Sequence, residues 1–131
     1  MRSKNLEELW ILSSKGEEVV HIQKIKQEEE IILIRNFFSG IHQFMQDMGG
    51  SNFYHLNISG KDFIGININI QSHTNDYSFY LIGKFEGLRQ KRCLAVLSRI
   101  KKQIIKLKWS ETKKEDLSDL LTNLIRKIVL F

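Results

Sequence analysis

The chain has no proline and a single cysteine, Cys93, among its 131 residues. One cysteine cannot close an internal disulfide, and a chain without proline has no Pro-rich linker. No apolar run approaches the roughly 20 residues that a membrane-spanning helix requires. The opening MRSKNLEELW carries acids early and has no apolar h-region, so it does not read as a secretory signal. These features lead to the expectation of a cytoplasmic protein. Catalytic and metal motifs are missing as well. His21, His42, His55 and His73 show neither HxxxH nor HExxH spacing, and Cys93 has no cysteine partner. Neither phosphate-loop pattern, GxGxxG or GxxxxGK[ST], occurs, nor does a GxSxG elbow. The sequence therefore predicts no enzyme: no catalytic residue, no metal ligand and no cofactor.

What is present reads as one domain over residues 1–131, long enough to bury a core. Hydrophobic residues make up 42% and charged residues 27%, the balance of an ordinary globular protein. The net charge of +5 is unevenly placed. Between Lys84 and Lys108 nine Lys and Arg residues face only Glu86, a net +8, so the rest of the chain carries −3. The basic character belongs to one element. A charge run most often solvates a helix face. The sharper reading is a patch of Arg89, Arg92, Arg99, Lys102 and Lys106 for an anionic membrane surface or an acidic partner. Nucleic acid is not expected, because the aromatic residues are not interleaved with the basic run.

Taken in order, Leu9–Leu12 is a short apolar run of the kind buried on both faces of a sheet. A turn at Ser14–Glu17 and a return through Val19, Val20, Ile22 and Ile25 complete a hairpin over 8–25. Gln27–Glu30 opens a long helix whose acids suit the positive end of its dipole. Ile34, Phe37, Phe38, Ile41, Phe44, Met45 and Met48 recur at helical spacing, and Gly49-Gly50 stops the helix. Its apolar arc spans about half the circumference, more than one sheet covers. Strands follow over 53–59 and 62–70 around Ser59–Asp62, then a polar loop and a central strand over 77–85 with bulky residues on both sides. A second helix is expected over 87–107, with Leu94, Leu97, Ile100, Ile104 and Leu107 as its buried stripe and Cys93 at the stripe's edge. A candidate capping box, Thr112–Glu115, precedes a third helix with Leu117, Leu120, Leu121, Leu124, Ile125 and Ile128 as its stripe.

The resulting order, β-β-α-β-β-β-α-α, resembles the longin domain at this length. ELWILSSKGEEVVHI looks like the longin first hairpin. IHQFMQDMGGSNFYHLNISGKDFIG resembles the helix-to-strand segment of longin domains in the late-endosomal Rab exchange factor. The resemblance implies an α+β fold, an α/β/α sandwich of longin or profilin type, around a five-stranded antiparallel sheet of order 2-1-5-4-3. It also implies a non-enzymatic interaction scaffold in small-GTPase regulation or membrane trafficking. The partners would be another longin or roadblock subunit, as homodimer or heterodimer, and a small GTPase. No heptad segment of the SNARE branch occurs among the 131 residues, so a role in membrane fusion is not expected.

Strand 53–59 carries no proline or charge to blunt a sheet edge, and the preceding helix has a surplus of apolar surface. Ile31, Phe38, His42 and Met45 of the helix, with Phe53, His55 and Asn57 of the strand, are therefore the expected partner interface. Two alternatives stand beside the scaffold. One is a peripheral membrane-surface adaptor acting through the basic helix. The other is a small-ligand sensor like PAS or GAF domains, which would need an internal cavity.

Overall fold

The computed structural model describes residues 5–15, 17–23, 53–58, 60–72, 76–107, 109 and 116–129. Five strands and two helices lie within them: β1 Leu6–Ser13, β2 Glu18–Gln23, β3 Phe53–Ile58, β4 Lys61–Gln71, β5 Asp76–Phe85, α1 Gln90–Ile105 and α2 Leu117–Ile128. The strands form one antiparallel sheet of order β2-β1-β5-β4-β3. The helix expected over 27–48 lies outside the described residues.

Alternation along each strand sorts the side chains onto two faces. The register aligns Leu9 with Ile22 and Gly83, and Ile11 with Val20 and Leu81. It aligns Ile64, Ile66, Ile68 and Ile70 with Gly83, Leu81, Phe79 and Tyr77. This face meets α1 and α2. Cys93, Leu97, Ile100 and Ile104 bury one stripe of α1, and Leu117, Leu121 and Ile125 bury one stripe of α2. Each Leu or Ile of these stripes taken out of water contributes about 1.5–3 kcal/mol. Cys93 is fully buried and stands within the stripe, where the sequence places it at the edge. Leu94 and Leu107 are only half-buried.

Trp109 closes the open end of this core. It packs on Tyr77 and Phe79 with ring centroids at 4.8 and 5.9 Å, and its indole N–H donates to the Ile104 carbonyl at 2.9 Å. The same carbonyl, in the last turn of α1, also accepts the Leu107 N–H at 3.2 Å. The residue capping α2 is Asp116, with no side-chain capping bond; the expected Thr112–Glu115 box lies outside the described residues.

The opposite face is also apolar where the central strands cross. Trp10, Leu12 and Ile82 are buried there, aligned through Trp10↔Ile82 and Leu12↔Tyr80. A buried Glu8 shares the face. Among the described residues no helix lies on it. None of the described helices is long and apolar enough to cross a membrane.

Candidate interaction site

The two outer strands are finished differently. At β2 the pairing with β1 slips between Ile11 and Leu12, so that Ile11 faces Val20 and Leu12 faces Glu18. Val19 is the extra residue of this bulge, and its carbonyl accepts the Ser118 hydroxyl of α2 at 2.7 Å. A bulge and a covering helix are two devices that keep an edge from recruiting another strand. β3 has neither. Its pairing with β4 is unbroken from Phe53↔Ile66 to Ile58↔Lys61. His55, Leu56 and Asn57 are all exposed, and Leu56 is one of three large hydrophobics left open to solvent among the described residues.

The direction of the β3 backbone follows from its turn. Ile58 and Lys61 are cross-strand partners flanking a two-residue loop, and Gly60 takes the positive φ of 82° such a turn demands. The pair closing a two-residue loop exchanges both hydrogen bonds, so bonded and non-bonded pairs alternate from there. Ile58, Leu56 and Tyr54 therefore turn their N–H and C=O groups toward β4. Phe53, His55 and Asn57 turn theirs outward. These are the three strand residues the sequence singles out for a partner interface. Ile31, Phe38, His42 and Met45, the four helix residues of that expectation, lie outside the described residues.

His55 and Asn57 stand on the face that α1 and α2 cover, at its open margin. Both donate to one oxygen of Asp62, His55 Nε2 at 2.8 Å and Asn57 Nδ2 at 3.0 Å. These two bonds, the His55 one first, hold the Asp62 carboxyl below the usual carboxylate range. A carboxyl whose pKa is lower folded than unfolded stabilises the fold above its unfolded value, 3.8, and loses that contribution as pH falls through the folded one. Replacing Asp62 with Asn is expected to flatten the acid limb of stability. Urea midpoints of wild type and variant, compared between about pH 5 and about pH 3, should converge toward acid. Parallel curves would show that the cluster does not favour the ionised form.

The helix layer carries the basic charge. α1 holds Lys91, Arg92, Arg99, Lys101 and Lys102 and no acid in its 16 residues. Arg89 at its N-cap, with Arg92, Arg99, Lys102 and Lys106, is exposed, as the sequence expects of a patch. A shallow groove of about 300 Å³ is lined by Arg99, Lys102, Gln103, Lys106 and Ile128. Lys84, counted with this run in the sequence, belongs elsewhere: it lies on β5 and pairs with Glu7 and Glu8 of β1.

That pairing is part of a network on the far face which motif reading does not reveal. Glu8, 2% exposed, accepts from His21 Nε2 at 2.9 Å and Gln23 Nε2 at 3.1 Å on one oxygen, and from Lys84 Nζ at 3.3 Å on the other. Lys61 bonds Glu7 at 2.7 Å and also Glu86, and these two carboxylates, Glu7 first, raise its pKa. Trp10 stacks on His21 with centroids 5.2 Å apart. The one available signal was a charge at the end of each apolar central strand, Glu8 on β1 and Lys84 on β5. Among the described residues no three His, Cys, Asp or Glu side chains converge as metal ligands. The Cys93 thiol is pushed up to about 11, first by burial and then by Asp62, which keeps it un-ionised and unreactive at neutral pH.

No protein-family model matches the chain, and no curated protein matches its sequence.

Proposed function

We propose that the chain is a non-enzymatic interaction module of longin type. In this reading it pairs its β3 edge with the β3 edge of a second copy, joining two five-stranded sheets into one. The observation that carries the reading is the contrast between the two edges. β2 is bulged and covered by α2, whereas β3 is regular, uncharged and exposed at His55, Leu56 and Asn57, with the backbone of Phe53, His55 and Asn57 directed outward. Strand addition along such an edge takes its affinity from main-chain hydrogen bonds. The fuller form of the reading has the joined sheets serve a small GTPase in membrane traffic, with a related longin or roadblock subunit as the other eligible partner. It is supported by the strand order β2-β1-β5-β4-β3, which is the order the longin resemblance implies.

Amide hydrogen exchange tests the pairing residue by residue. The outward amides of His55 and Asn57 should exchange freely in dilute protein and become protected as concentration rises. The Leu56 amide, bonded to β4, should be protected throughout. Free exchange of His55 and Asn57 at every concentration would remove the second copy from the edge.

A further inference from the structure

We propose that the outward half of α1, with the adjoining flank of α2, docks on an anionic lipid bilayer. The proposal is independent of the β3 edge. From Arg89 to Lys108 the chain carries eight Lys and Arg residues and no acid, which leaves −3 for the rest of the molecule. The chain's net positive charge is thus concentrated in this one stretch. Among the described residues the ion pairs of Lys and Arg involve only Lys61 and Lys84, so the α1 cations meet no carboxylate there.

Their spread over the helix decides between occupants. At about 100° per residue, with the buried stripe of Cys93, Leu97, Ile100 and Ile104 as reference, Lys101 falls on one flank. Lys91 and Lys102 fall at the outward pole, and Lys106, Arg99 and Arg92 on the other flank. The cations therefore cover roughly half the circumference and, from Lys91 to Lys106, about 22 Å of axis. A peptide seated in the groove would meet one flank. A planar anionic surface meets the whole outward half. The apolar side chains agree with a bilayer. Ile105 (46% exposed) and Leu120 (36%) are two of the three large exposed hydrophobics among the described residues, and both belong to the helix layer. Ile128 adds an apolar wall beside Arg99, Lys102 and Lys106. Cations around scattered apolar residues match the headgroup and acyl boundary of a membrane surface. The start of α1 agrees too. Lys91 and Arg92 occupy its first turn with no acid, where the helix dipole disfavours them, so they are not placed there for helix stability.

Vesicle co-sedimentation tests this. The probes are vesicles of phosphatidylcholine alone and vesicles containing about 30% phosphatidylserine, each at about 100 mM and about 500 mM salt. Wild type should bind the phosphatidylserine vesicles only, and at least tenfold more weakly at the higher salt. Combined reversal of Arg92, Arg99, Lys102 and Lys106 to Glu should weaken binding more than a hundredfold, from about fivefold per charge removed. All four are exposed, so the far-ultraviolet spectrum should not change. If it does, the milder set Arg99→Gln, Lys102→Gln and Lys106→Gln should still lose at least tenfold. Ile105→Asp should lose several-fold with its cations intact. No binding to phosphatidylserine vesicles, equal binding to neutral ones, or charge variants that bind like wild type would overturn the proposal. Saturable binding of polyglutamate without vesicle binding would overturn it in favour of an acidic protein.

Discussion

Replacing Glu8 with Ala is expected to lower the unfolding free energy by about 3 kcal/mol, and the melting temperature by on the order of 10 °C. Glu8 is 2% exposed and, among the described residues, receives donors from His21, Gln23 and Lys84. Removing it deletes few apolar contacts. It strands Lys84, whose side chain is 12% exposed, without the buried carboxylate it faces. Breaking a buried pair by removing one partner typically costs about 3–5 kcal/mol, because an uncompensated charge stays inside. Glu7, 3.7 Å from Lys84 and less buried, offsets part of the loss, so the lower end is expected. Glu8→Leu combined with Lys84→Met should be less destabilised than the sum of the single changes, since no charge is then left behind. Urea titration of the four proteins measures this. A loss below about 1 kcal/mol for Glu8→Ala would show that solvent reaches the cluster.

The network also fixes alignment. Glu8 stands opposite both Gln23 and Lys84, so its donors come from the strands on either side of β1. A slip of one residue would move Glu8 to the face packed against the helices. The central strands are thereby locked where apolar side chains on both faces would specify register weakly.

Asn57→Pro is expected to convert a dimer into a monomer, raising the dissociation constant at least a hundredfold. Proline removes the outward N–H of Asn57, one of the few donors an added strand could use. The bond lost to β4 is none, because Asn57 faces Asp62 in a pair that does not exchange backbone hydrogen bonds. Edge strands tolerate proline at such positions. The fold should survive, apart from the exposed bond between Asn57 and Asp62. Leu56→Pro looks equivalent in the sequence and is not. Leu56 pairs with Phe63 through its backbone, so that change would break the β3–β4 hairpin itself. The two substitutions thus separate the outer edge from the inner one. Monomeric Leu56→Pro carries no information on dimerisation, whereas folded, monomeric Asn57→Pro does.

How legible all this was depends on the kind of signal. The strands were legible through two signals: period-two alternation over Ile64–Ile70, and apolar or bulky residues on both faces over Leu9–Leu12 and Tyr77–Phe85. Their bounds moved by one or two residues, with β1 reaching back to Leu6 and β4 extending over Lys61–Gln71. The expected order 2-1-5-4-3 came from the resemblance, and the sheet has that order. Helix faces were legible where Leu and Ile recur at helical spacing. Cys93 was displaced only because a small thiol is a weak marker of burial. Two things were not legible. The Glu8–Lys84 network joins residues 76 positions apart, and charges at strand ends give no motif. The choice of face and of bonding direction on β3 requires the turn register, since one residue inverts both. The basic run could be counted in the sequence, and the expected strand over 77–85 already holds Lys84, but its carboxylate partners Glu7 and Glu8 come into view only once β5 is paired with β1.

The solution mass of the wild-type protein, by sedimentation equilibrium from low to high micromolar concentration, tests the edge-pairing account most directly. The account predicts a mass that rises toward twice 15.4 kDa with concentration, and an Asn57→Pro variant that stays at the single-chain value. A wild-type protein that remains at 15.4 kDa throughout would contradict it.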